Sequence, residues 1–109
     1  MIKSGPAKKL TIYVDETDKH KGLPLYEVLM ELFYSNKISG VTVFRGVAGY
    51  GMHRVLHTSK MLELSTTLPL KIEAVDTEAV ISKVLPEVSA LVKKGLVEIS
   101  DTVIVNSSE

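Results

Sequence analysis

From Lys9 the chain alternates between polar and apolar positions. Leu10, Ile12 and Val14 fall on one side, and Lys9, Thr11, Tyr13 and Asp15 on the other. A period of two predicts a strand buried on one face. Before it, Met1–Ala7 is broken by Gly5 and Pro6 and reads as a loose lead-in. After it, Asp15 to Gly22 is charged, carries His20 among acids and lysines, and reads as a solvated loop. The period then changes. Pro24 suits the first turn of a helix, and Leu25, Val28, Leu29, Leu32 and Phe33 recur as one helical stripe. Met30, Leu32 and Phe33 are assigned to the core, and Asn36 and Gly40 are stop signals. A second strand follows from about Val41 to Arg45.

The second half repeats the order. Met52–Ser65 carries Leu56, Met61, Leu62 and Leu64 and is read as a short helix. A third strand has Leu70, Ile72 and Ala74 on one side and Lys71, Glu73 and Val75 on the other. Asp76 or Thr77 can cap the next helix, with Glu78 in its first turn. Ile81, Val84, Leu85, Val88 and Val92 make its inward stripe, and Pro86 predicts a kink near Ser82. Lys93 and Lys94 fall in the last turn, with Gly95 as the residue just past it. The last strand is expected in two pieces, Leu96–Ile99 and Thr102–Val105, interrupted at Ser100–Asp101. The order β-α-β, loop, β-α-β predicts an α+β, ferredoxin-like βαββαβ sandwich: an antiparallel four-stranded sheet with two helices on one face. The opposite face would carry Tyr13, Phe44 and Val75 among Thr11, Lys71 and Glu73, an expected association surface.

Composition adds bounds. A chain of 109 residues suits one domain, here residues 1–109 with a core of about 9–105. The 13 basic and 13 acidic residues balance, which argues against a broad nucleic-acid surface but leaves room for a local cationic pocket. There is no cysteine, so thiol catalysis, disulfides and cysteine zinc sites are excluded. The first residues lack an apolar signal-peptide core, and no apolar run reaches membrane-spanning length. A cytoplasmic location is the expectation.

Candidate chemistry concentrates between Gly40 and His57. Gly46, Gly49 and Gly51 follow Arg45 closely, and His53, Arg54 and His57 come next. Such glycines permit positive φ and close approach to a ligand. Successive backbone N–H groups there can cradle an anion, with Arg45 and Arg54 supplying charge. A tight turn with no ligand is the alternative. The glycine spacing is not that of a dinucleotide-binding fingerprint. His53 and His57, four apart, share a face if helical and are candidate metal ligands. Surface or polar-network histidines are the commoner explanation. Glu73 and Asp76 look structural, and no nucleophile elbow is present.

The pieces GVTVFRGVAGYG and LPLKIEAVD resemble the PII signalling proteins, in which a G-[MV]-T-V strand leads to a G-F-G turn and an LPKVKIE strand returns. The match is closer to the PII-like group DUF190, whose members carry TVFRG, G-[YF]-G-x-H-R and LP-x-x-IE-x-VD. Thr42–Gly46, Gly49–Arg54 and Leu68–Asp76 fit those motifs, within a resemblance from roughly Leu10 to Val105. It implies a homotrimer with clefts between subunits that hold a small anionic ligand, in PII an adenine nucleotide. It also implies that the glycine-rich turn of one subunit meets the Lys93–Gly95 corner of another. The ligand-binding residues are then Arg45, Gly46, Gly49, Tyr50, Gly51, His53, Arg54, Lys93 and Lys94. The chain departs from PII in a shorter loop and in Lys93–Thr102, which has one glycine where PII has T-G-x-x-G-D-G.

Two functions follow. One is a non-enzymatic regulator that binds the anion and modulates a membrane transporter, channel or enzyme, with no nucleic acid involved. The other is a small metal-binding or enzymatic ferredoxin-like trimer using His53 and His57.

Overall fold

A computed structural model describes residues 3–49, 57–58 and 68–107. The elements run β1 (Gly5–Asp15), β2 (Lys19–His20), β3 (Leu23–Pro24), α1 (Leu25–Ser35), β4 (Gly40–Arg45), β5 (Ala48–Gly49), β6 (His57–Thr58), β7 (Pro69–Asp76), α2 (Glu78–Leu91) and β8 (Leu96–Ile104). Four strands make one antiparallel sheet in the order β4-β7-β1-β8. This is the ferredoxin-like arrangement, in which each helix crosses between strands that are not neighbours.

Strand parity builds the core. Leu10, Ile12 and Val14 of β1 and Leu70, Ile72 and Ala74 of β7 are buried against Leu25, Leu29 and Phe33 of α1 and Ile81, Val84 and Val88 of α2. Each large apolar side chain so removed from water stabilises the fold by about 1.5–3 kcal/mol before entropy is counted. Leu32, Leu85 and Val92 pack partly buried at the margin of that cluster. Met30 is 39 % exposed, so it is not a core residue: it lies one position off the stripe.

Helix ends are set by local chemistry. Asn36 closes α1, its side-chain amide and its backbone N–H both donating to the Leu32 carbonyl at 2.8 and 3.1 Å. Thr77 caps α2, its hydroxyl accepting from Val80 N–H at 3.4 Å. Asp76 is buried instead of capping. Its carboxylate accepts from the Ser39 N–H and hydroxyl at 2.8 and 2.9 Å, and from Thr77 N–H at 2.7 Å. It thereby ties the entry of β4 to the end of β7. The helix α2 is a single element with Pro86 inside it.

Several boundaries differ from the sequence reading. From Gly5 on the lead-in is strand and not loose, because β1 begins there and pairs with β8 from Ile104 inward, burying Ala7. The strand β8 is unbroken through Ser100 and Asp101, where Asp101 forms an ion pair with Lys8 on β1. The charged loop is a tight hairpin. Lys21 and Gly22 both take positive φ, 51° and 83°, between the paired strands β2 and β3. Lys93 and Lys94 lie beyond α2, which ends at Leu91 with Val92 as its C-cap. His57–Thr58 is strand and not helix, since it pairs with Ala48–Gly49. The remainder of the helix expected over 52–65 lies outside the described residues.

Candidate functional site

The face of the sheet away from the helices carries rows of side chains fixed by register. One row crosses all four strands as Phe44, Lys71, Tyr13 and Leu96, and the next as Thr42, Glu73, Thr11 and Glu98. Phe44, Leu96 and Tyr13 are exposed at 47, 51 and 36 %. Lys71 Nζ stands 5.8 Å from the Phe44 ring centroid and 2.8 Å from a Glu73 carboxylate oxygen. That carboxylate raises the Lys71 pKa, and the ammonium in turn holds Glu73 below its ordinary value. Thr11 is buried although it faces outward, being flanked in register by Glu73 and Glu98.

At the end of this face lies a cleft of about 820 Å³. The aromatic row forms its apolar wall, and Arg45, Gly46 and Gly49 approach from one side. Lys94 and Gly95 approach from the other, with Asp15, Asp18 and Glu98 at the margin. The turn after β4 and the corner before β8 thus border one cleft within a single chain. Its volume and mixed lining suit a ligand with an aromatic body and an anionic end.

The glycines serve packing more than positive φ. Among the described glycines, only Gly5, Gly22 and Gly95 take positive φ. A Cβ on Gly46 would stand 2.8 Å from Pro69 Cγ, and one on Gly49 would stand 3.3 Å from it. The Gly46 N–H donates to the Pro69 carbonyl at 2.7 Å and so is not free to hold an anion, contrary to the expected cradle. Gly95 has φ +128°, and an added Cβ would fall 2.1 Å from the Tyr13 carbonyl oxygen.

Arg45 is also engaged. Its Nε and Nη2 donate to the two carboxylate oxygens of Glu16 at 2.9 and 2.8 Å. This pairing raises the Arg45 pKa. Arg45 borders both the large cleft and a neighbouring hollow of about 620 Å³, which Glu16 lines. Lys94 has no ion-pair partner among the described residues. Lys93 is exposed and does not line the cleft.

Of the expected site, then, Arg45, Gly46, Gly49 and Lys94 come together. Tyr50, Gly51, His53 and Arg54 lie outside the described residues. The face shared by His53 and His57 required a helix, and His57 is in a strand. Among the described residues no group of three or more metal-ligating side chains converges. Sequence reasoning did not nominate Glu16, Asp18, Leu96 or Glu98. It placed Tyr13 and Lys71 beside Phe44 by parity, but as an association surface and not as a cleft wall.

Comparison with known proteins bears on this arrangement. Residues 7–104 match the family model DUF190, described as Uncharacterized ACR. The UPF0166 protein MJ1524 of Methanocaldococcus jannaschii is 41 % identical over 96 residues, covering 87 % of this chain and 88 % of that protein. A UPF0166 protein of Aquifex aeolicus is 32 % identical over 98 residues, covering 90 and 92 %. Among solved structures, the nitrogen regulatory PII-like protein CPII of Thiomonas intermedia K12, bound to ADP, AMP and bicarbonate, superposes with a TM-score of 0.73. That match has 21 % identity over 97 % of this chain and 94 % of that one. The apo form of CPII gives a TM-score of 0.63 at 20 % identity, covering 95 and 97 %. At such identities the likeness establishes the fold.

Proposed function

Because the chain belongs to the DUF190 family and takes the PII-like fold, we propose that it is a non-enzymatic regulatory protein that binds a small anionic ligand, an adenine nucleotide, in this cleft. The observation that carries the reading is the meeting of the exposed row of Phe44, Tyr13 and Leu96 with Lys94 at one end of the sheet. Tyr13 and Phe44 offer faces for a base, and Lys94 offers a charge-assisted bond to phosphate. CPII, which shares the fold, was solved with ADP and AMP bound. Binding of the nucleotide would alter contacts with a partner protein such as a transporter, channel or enzyme. The assembly proposed is a homotrimer that buries part of the open face.

Calorimetric titration with ADP tests this. Saturable binding with ADP recovered unchanged is expected. Lys94→Ala should weaken it about tenfold, the loss of one charged hydrogen bond. Turnover of the nucleotide, or full affinity in the variant, would overturn the reading.

A further inference from the structure

The acidic side chains that line the cleft do not stand alike. Asp18 accepts from the Asp15 N–H at 3.1 Å and so serves the turn after β1. The Glu98 carboxylate has no ion-pair or hydrogen-bond partner among the described residues. Lys71 feels its charge, the least of the causes that raise the Lys71 pKa, but donates to Glu73 at 2.8 Å. Register fixes where Glu98 stands. Leu96 lies opposite Tyr13, and Glu98 opposite Thr11. Two residues apart on one strand, Leu96 and Glu98 share the open face, about 6.6 Å from each other along β8. Lys94 precedes Leu96, so Lys94 and Glu98 lie on opposite sides of the apolar row. Asp15 follows Tyr13 on the antiparallel β1 and stands at the Lys94 end. Among the described lining residues, Glu98 alone is charged on the far side of the row.

From this we infer that Glu98 is a specificity residue of the cleft: it accepts a hydrogen bond from a neutral N–H or O–H donor on the end of the ligand opposite its anion, and so sets which way round the ligand lies. The inference rests on the cleft being the nucleotide site. An unpaired carboxylate attracts donors, repels acceptors, and makes bonds roughly twice as strong as neutral ones. A ligand whose phosphate meets Lys94 crosses the apolar row and brings its other end to Glu98. In an adenine nucleotide the donors of that end are the amine of the base and the hydroxyls of the ribose. The sign of the effect is what marks this role. A carboxylate that was only a negative charge near an anion site would weaken every anion, and its removal would tighten binding.

The probes are ADP, purine riboside 5′-diphosphate, which lacks the amine, and 2′- and 3′-deoxy-ADP, which each lack one hydroxyl. All four are titrated calorimetrically into the wild type, Glu98→Gln and Glu98→Ala. Glu98→Ala should bind ADP about tenfold more weakly, the loss of one hydrogen bond to a charged group. Glu98→Gln keeps a neutral acceptor and should lose about threefold. One of the three analogues should bind the wild type as weakly as ADP binds Glu98→Ala, and should be indifferent to the substitution. That analogue names the donor: the amine or one of the hydroxyls. Equal or tighter ADP binding in both Glu98 variants overturns the inference and leaves the nucleotide site standing. So does a loss of the same size for ADP and all three analogues, which is what a merely structural role would give. Failure of ADP to bind the wild type removes the nucleotide reading and this inference with it.

Discussion

Gly95 shows how one residue can fix the approach of two strands. Its φ of +128° is a conformation that side chains rarely adopt, and the missing Cβ is the space that the Tyr13 carbonyl fills. Any side chain there must push β8 away from β1 at the end where the cleft lies. Gly95→Ala should therefore lower stability by about 1–3 kcal/mol, the cost of a strained backbone. Urea unfolding would show this as a lower midpoint with an unchanged slope. Glu73 gives a prediction in pH. Lys71 holds its carboxyl below the ordinary 4.5, so the pair's contribution is complete above that value. It is lost as pH falls through the depressed value. The acid limb of a stability-against-pH curve should accordingly be flatter in Glu73→Gln than in the wild type. A steeper limb in the variant would contradict the pairing.

At the scale of elements, legibility followed length and period. The stripes of α1 and α2 and the parity of β1 and β7 were readable because each runs for several repeats of its own period. Leu10, Ile12, Ile72 and Val88 are as buried as that pattern requires. The strands β2 and β3 have two residues each, too few to show a period, so Lys19 and His20 read as part of a loop and Pro24 as the first turn of the helix. The strand β8 read as broken because Ser100 and Asp101 are polar. An edge strand tolerates them, and Asp101 finds Lys8 across the ladder. The candidate site was legible as composition and not as contacts. Gly46 and Arg45 were visible, but their partners Pro69 and Glu16 are remote in sequence and no local spacing announces them. Pro86 is a separate case, since it stands inside a continuous α2 and is exposed. Replacing it with alanine restores a backbone donor and should raise stability by about 1–3 kcal/mol, less a few tenths for the freer unfolded chain. Differential scanning calorimetry would register a higher Tm; a lower one would mean the proline fits the helix without cost.

For the whole molecule, the uncovered face matters most. Phe44, Tyr13 and Leu96 lie in one row with no helix above them among the described residues, and their burial between subunits would gain roughly 25 cal/mol per Å² of apolar surface. Phe44→Glu should reduce the assembly to monomers in light scattering and weaken ADP binding with it, because Phe44 serves both the face and the cleft. A variant that stays assembled and binds ADP fully would sink the proposed trimer with shared sites. Among the described residues no helix is long and apolar enough to cross a membrane. The central position of β1 has a consequence for how the molecule is made. It is flanked by β7 and β8, so Gly5 finds its partner in Ile104 and Asp15 finds its own in Pro69. A ribosome delivers β1 first and both its neighbours last. A strand paired on both sides is thus the one that waits longest for its neighbours, and loop closure across most of the chain must precede the sheet's completion. During synthesis Leu10, Ile12 and Val14 are a hydrophobic strand without neighbours, and the nascent chain is most exposed to misassociation in that interval.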